Sequence, residues 1–360
     1  MPDPNRSVTL ADWPLAERVG RWVAGMNPVS ADAAEVARLR GVVADAVRLA
    51  DGPSRDVTGL GQDLGPASAR VASRGEWVAS NLASMRYLTD PHAANLLRRA
   101  TFPSAASRKA VALQIGLVFG YLSTRVLGQY EVFLPGGQTP GRLTLVGPNL
   151  LTLEREMAQQ GDLDPEELVR GVVLHELGHR LQFEAVPWLR PHLRGIMDDY
   201  LSQAQIDPER IRQGLSSLRG RITGGTLDVT DLIEAFLTPQ QAASLHDAQA
   251  VMSLLEGHGN VVMDWGAELM AGEGIDPARV REALNRRRGG VGGTSKLVSR
   301  ALGMGMKAAQ YRMGETFIAD VAERHGRETF NRVWEHPDHI PTADELTDPD
   351  AWATRISARR

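Results

Sequence analysis

Along most of this chain apolar residues recur at three- and four-residue spacings, the period of helices that bury one face. Trp13, Leu15, Val19, Trp22 and Val23 predict a helix over 12–26. Alanine, valine and leucine at the same period predict another over 31–49. The segment 51–65 holds glycine, proline and aspartate and reads as a loop. Helices are expected again over 68–88, 91–97 and 107–125.

The pattern changes at VLGQYEVFLPGGQTPGRLTLVGPNL, residues 126–150. Two apolar runs rich in β-branched and aromatic residues flank PGGQTPG, so 126–134 and 142–146 are expected to pair as a β-hairpin. The fold class is therefore α+β, predominantly helical. Helix is expected to return at Asp164, an N-cap with Pro165 at the first helical position and Glu167 completing a capping-box-like pattern. Pro187 ends this helix, and Leu168, Val172, His175 and His179 share one of its faces. Further helices are expected over 188–202, 207–219, 231–237, 239–269 and 297–325. Between the last two lies a basic, glycine-rich loop over 285–296, and the tail from Pro337 reads as loop with a short final helix.

Composition narrows the chemistry. The 360 residues carry 40 Lys plus Arg against 44 Asp plus Glu, a net charge of −4, with no cysteine and nine histidines. Disulfides, cysteine-held metal sites and a thiol nucleophile are excluded. Any transition-metal site must use histidine and carboxylate. The near-neutral charge argues against a nucleic-acid partner. The N-terminus lacks the basic and apolar regions of a leader, and the most apolar stretch, 110–122, is too short to span a bilayer. The expectation is a cytoplasmic protein without a membrane partner; the oligomeric state is not legible.

His175-Glu176-Leu177-Gly178-His179 is an H-E-x-x-H motif on a predicted helix. Residues four apart lie one turn apart on the same face, so both imidazoles can converge on one metal ion, and Glu176 can reach a water on it. Nitrogen and oxygen donors suit zinc. At this composition the pattern arises by chance about 0.013 times in such a chain. The third ligand is less local. Gln182 and Ala185 stand where a metzincin would have Gly and His. Asp198, Asp199 and Glu209 lie in the window of a thermolysin-like third ligand, but the first two are not Glu and Glu209 sits in a helical first turn. Farther on, SLLEGHGNVVMDW holds Glu256 and His258, about 200° apart on a helix, so both cannot face one ion. Glu256 shares its face with Met252, Gly259, Asn260 and Met263, where a carboxylate is costly unless paired or metal-bound. It is the preferred third ligand, with His258 and then Asp198 or Asp199 as alternatives. Gly257 and Gly259 weaken that helix and suggest a close backbone approach.

VLGQYEVFLP, GRLTLVGPNL, HELGHRLQFEAVPWL, LLEGHGNVVMD, KAAQYRMGETFI and IPTADEL, in this order, resemble the actinobacterial zincin-like metallopeptidases of the type 2 group, in particular the branch labelled "coenzyme F-420 biosynthesis associated". The resemblance extends over residues 15–355, nearly the whole chain. It implies a zincin-like fold, with the H-E-x-x-H helix packed on a small sheet containing the hairpin. It implies one zinc ion held by His175, His179 and Glu256, with Glu176 as the catalytic glutamate. The expected organisation is a single domain over 1–360: an N-terminal helical part (1–105), a metal-binding core (106–345) and a C-terminal tail (346–360). Asn260 stands where a thermolysin-like enzyme has an orienting Asp.

The expected reaction is hydrolysis of a peptide or amide substrate by a zinc-activated water, with Glu176 as general base. Candidate oxyanion donors are His258, Tyr311 and Arg312. The competing reading is a zinc-binding accessory protein of deazaflavin coenzyme synthesis. The loop 286–296 fails the P-loop order, since Lys296 follows Ser295 rather than a glycine; a lid is the alternative. His336 and His339 have ligand-like spacing, but Pro337 and Pro341 make a packed turn the expectation.

Overall fold

The computed structural model describes residues 8–98, 104–137, 140–160, 164–203, 246–270, 279 and 308–358. The expected helices 207–219 and 231–237, the glycine-rich loop and the first parts of 239–269 and 297–325 lie outside the described residues.

Helix α1 is Trp13–Ala24, opened by the Asp12 side chain accepting from the Leu15 N–H. Trp13 is buried, but Trp22, expected on the same buried face, is 59% exposed. Helix α2, Ala33–Thr58, begins with a reciprocal capping box between Asp32 and Glu35. It continues through Pro53, so most of the loop expected over 51–65 is helix. The reason is tertiary. Ser54, Val57 and Thr58 are buried, and the Ser54 and Thr58 hydroxyls donate to the Ala50 and Ser54 carbonyls. Packing and these bonds outweigh the helix-breaking tendency of glycine and proline. Gly59, in the left-handed region at φ 67°, ends it.

The helix expected over 68–88 is two elements. Strand β1 is Ala69–Ala72, and α3, Arg74–Thr89, starts at a capping box between Ser73 and Glu76. A short α4, Ala93–Arg98, and the apolar α5, Ser104–Leu122, follow. The expected hairpin is present: β2, Gly128–Glu131, runs antiparallel to β3, Arg142–Val146. β1 pairs with β3 in parallel, giving a three-stranded sheet in the order β1-β3-β2. Helix α6, Gly147–Gln160, was not expected. Pro148 stands in its first turn, where proline is favoured.

Helix α7, Pro165–Ala185, carries the H-E-x-x-H motif. Asp164 caps it by accepting from the Glu166 N–H, so the box through Glu167 is not the cap used. Next come α8, Leu189–Gln203, and then α9, His246–Leu269, and α10, Ala308–His325. The short α11, Arg327–Asn331, and the final α12, Pro349–Ala358, lie in the C-terminal part.

β3 divides two apolar cores. Successive strand residues point to opposite faces. Leu143 and Leu145 enter a core built with α2, α6, α7, α9, α10 and the C-terminal helices. Val146 enters a second core with α1, α3 and α5. Helix α7 is enclosed by α2, α9, β2 and β3. It therefore buries Leu168, Val169, Val172, Val173, Leu174, Leu177 and Leu181 all round rather than on one stripe. Among the described residues no helix is long and apolar enough to cross a membrane.

Candidate metal centre

The two histidines of α7 lie where four-residue spacing puts them. His175 Nε2 and His179 Nε2 are 3.2 Å apart, with ring planes at 88°. From the facing helix α9, Glu256 brings Oε2 to 3.6 Å from His175 Nε2 and Oε1 to 3.8 Å from His179 Nε2. The helices come close enough because residue 259 has no side chain: a Cβ there would sit 2.9 Å from His175 Cε1. Among the described residues, this trio alone gathers three metal-ligating groups within 4.8 Å of one another.

The donors fit a zinc ion. Zinc–ligand bonds of about 2.0–2.1 Å in a tetrahedron imply donor separations of roughly 3.3–3.4 Å. The observed 3.2, 3.6 and 3.8 Å bracket that value. Two imidazole nitrogens turned toward each other at 3.2 Å share one proton when one of them is an N–H, and present both lone pairs to a cation when both are the unprotonated ring atoms. Two nitrogens and one carboxylate oxygen are a donor set zinc accepts, and three ligands leave a coordination position for water.

Glu176 projects to the sheet side of α7 and is 4% exposed. Its Oε2 accepts from the Tyr130 N–H at 2.8 Å. Burial pushes its carboxyl above the usual carboxylate range, against the opposing pull of His175, His179 and the Tyr130 N–H. Gly128 makes room for it, since a Cβ there would lie 2.9 Å from Glu176 Cγ. The Tyr130 ring stacks on Phe183 and its hydroxyl donates to Glu184 Oε1 at 2.7 Å. Burial, followed by that bond, pushes the phenol's pKa up.

His258 is fully buried. Its Nδ1 is 2.9 Å from Gln182 Nε2, and its ring packs on Phe330 and Trp334. Burial, with the adjacent His179 and His175, pushes it down to about 3, so it is neutral at physiological pH. The structure does not bring it to the other donors. Tyr311 lies on α10 with Arg312, and their side chains are outside the described residues. Asp198, on α8, pairs with Arg194 of the same helix and with His92 of the turn 90–92, and is not one of the clustered donors. Asp199 is also on α8, and Glu209 is outside the described residues. His339 Nδ1 donates to the Arg332 carbonyl and His336 Nδ1 accepts from the Asp338 N–H, as in a packed turn. Asn260, one turn beyond Glu256, donates to Glu315 Oε2 at 3.3 Å.

Sequence reasoning missed Gly128, Tyr130 and Gln182 as neighbours of the site. Gln182 was accessible, because it lies three residues after His179 and such pairs adjoin on a helix. Its Oε1 is 2.9 Å from His179 Nδ1. Tyr130 acts through its main chain, which leaves no signature in residue identity.

A family model described as zincin-like metallopeptidase matches residues 11–353. A solved structure from Chloroflexus aurantiacus, described as a candidate hydrolase with a novel fold, is similar to this chain at 27% sequence identity and a TM-score of 0.69. The similarity covers 97% of this chain and 99% of that one. No curated protein matches the sequence.

Proposed function

This chain belongs to the zincin-like metallopeptidase family, and from that premise we propose that it is a zinc-dependent hydrolase of peptide or other amide bonds. The observation that carries the reading is the convergence of His175, His179 and Glu256, all close enough to the carboxyl of Glu176 to act on its charge. The similarity to a structure described as a candidate hydrolase supports the same class.

His175, His179 and Glu256 would hold one zinc ion. When bound, zinc supplies a Lewis acid for a carbonyl oxygen and lowers the pKa of a coordinated water toward about 7. Glu176 takes a proton from the attacking water and returns it to the leaving nitrogen. The Tyr130 N–H holds Glu176 Oε2, so the proton travels on Oε1. Tyr311 stays a candidate donor to the oxyanion, since its helix α10 packs against the Glu256 helix.

The test is Glu176→Gln, scored on a panel of internally quenched peptides with zinc content measured in parallel. One zinc per chain and a loss of turnover of about 10²-fold or more are expected. Full turnover in this variant would overturn the mechanism, and wild-type protein that takes up no zinc would overturn the reading.

A further inference from the structure

We propose that Gln182 is a positioning residue that fixes His179 in its metal-binding tautomer, and that the Leu255 carbonyl and His258 in turn fix Gln182. This rests on reading the His175–His179–Glu256 trio as the zinc site.

The carboxamide of Gln182 is fully buried and makes three contacts, each of 2.9 Å: Oε1 to His179 Nδ1, and Nε2 to the Leu255 carbonyl and to His258 Nδ1. A carbonyl oxygen can only accept, so the atom facing Leu255 must be the NH2 group. That sets the orientation of the amide, and its oxygen therefore faces His179. An amide oxygen also only accepts, so His179 Nδ1 must carry the proton. The Nε2 lone pair is then committed to the side where His175 and Glu256 stand. The second amide hydrogen goes to His258 Nδ1, which must be unprotonated. His258 is held in turn by Phe330 and Trp334, with ring centroids at 5.7 and 4.8 Å.

Metal-ligating histidines usually donate their second ring N–H to a carboxylate, carbonyl or water, and removing that partner typically lowers metal affinity 10–100-fold. Here a neutral carboxamide does this for one histidine. His175 provides an internal contrast, because its Nδ1 is buried with no hydrogen-bond partner among the described residues. The tautomer of His179 is thus built into the protein, whereas among the described residues no such bond fixes that of His175.

Two measurements test this. In zinc-free wild-type protein at about pH 8, ¹⁵N NMR of the imidazoles should show His179 protonated on Nδ1. In Gln182→Met that preference should relax for His179 and stay as it was for His175, which a general loosening of the fold would not produce. Chelator competition should show zinc bound 10–100-fold more weakly by Gln182→Met than by wild type. A wild-type His179 protonated on Nε2, or a variant with zinc affinity within about twofold of wild type, overturns the role of Gln182 and leaves the zinc site standing. Wild-type protein that binds no zinc overturns the site reading instead, and the tautomer measurement still reports on Gln182.

Discussion

Two atoms of strand β2 set where the Glu176 carboxylate lies: the Tyr130 nitrogen, which donates to it, and the Gly128 Cα, which carries nothing to push it away. A methyl added at 128 would sit 2.9 Å from Glu176 Cγ and 3.1 Å from Oε1. Relief requires moving the carboxylate, and a misplacement of about 1 Å at a reacting group can cost 10²-fold in rate. Gly128→Ala should therefore lower kcat by roughly 10–100-fold while zinc content, if His175, His179 and Glu256 are the ligands as proposed, stays at the wild-type value. Unchanged kcat in parallel assays of turnover and zinc would show that this contact does not hold the base. The residue scale also shows what a sequence can carry. His175, Glu176 and His179 are legible together because four-residue spacing is a local property of the helix. Glu256 is separated from them by 77 positions or more, and it was singled out by its cost on an otherwise small or apolar stripe together with the family resemblance. The Tyr130 N–H was illegible, because every residue but proline has one.

Between elements, glycines decide how near the Glu256 helix comes to its neighbours. On its other side α9 meets α10, and a Cβ on Gly314 would lie 2.0 Å from the Ser253 carbonyl oxygen, too close for any flexible side chain to relieve. Gly314→Ala should force the two helices apart. A destabilisation of about 1–3 kcal/mol is expected for such overpacking, together with weaker zinc binding as Glu256 moves with its helix. Urea denaturation and zinc titration would show both; a variant with wild-type values in each would mean that the crossing adjusts without moving α9. The elements misread from sequence share one cause. Pro53, Gly147-Pro148 and the alanine-rich Ala69–Ala72 carry local signals that run against, or say little about, the structure adopted. What settles them is long-range: α2 continues past Pro53 because Ser54 and Val57 pack inside the core, and β1 exists because β3 lies beside it. The hairpin was legible because both strands and their turn are contiguous.

Across the whole molecule, the sheet is tied to its surroundings through one buried acid. Glu131, 3% exposed, accepts from Arg142 at 2.6 Å, Arg70 at 3.1 Å, Ser80 at 2.5 Å and Thr144 at 2.5 Å, joining all three strands to α3. Burial works to raise its pKa, but the hydrogen bonds from Arg142, Ser80 and Thr144 prevail and hold it below the usual range. A carboxyl whose pKa is lowered by folding contributes stability that is fully present above its unfolded value of about 4.3 and is lost as pH falls through the folded value. Glu131→Gln should cost roughly 2–4 kcal/mol near pH 7, and the gap to wild type should narrow below about pH 4; a gap constant from pH 7 to 3 would rule out the charge as its source. A metal bound as proposed would add a second coupling. α7 and α9 are separate in sequence and both belong to the larger core, so an ion shared by His175, His179 and Glu256 joins two walls of that core. Binding to the folded state alone stabilises by about 2.7 kcal/mol at a free ligand concentration of 100 times Kd. Zinc at that level should shift the urea midpoint upward by the corresponding amount, a chelator should reverse the shift, and His175→Ala should abolish it. A midpoint in wild type that ignores zinc over that range would mean that the ion, if taken up, is bound equally by the unfolded chain and not by the fold these helices build.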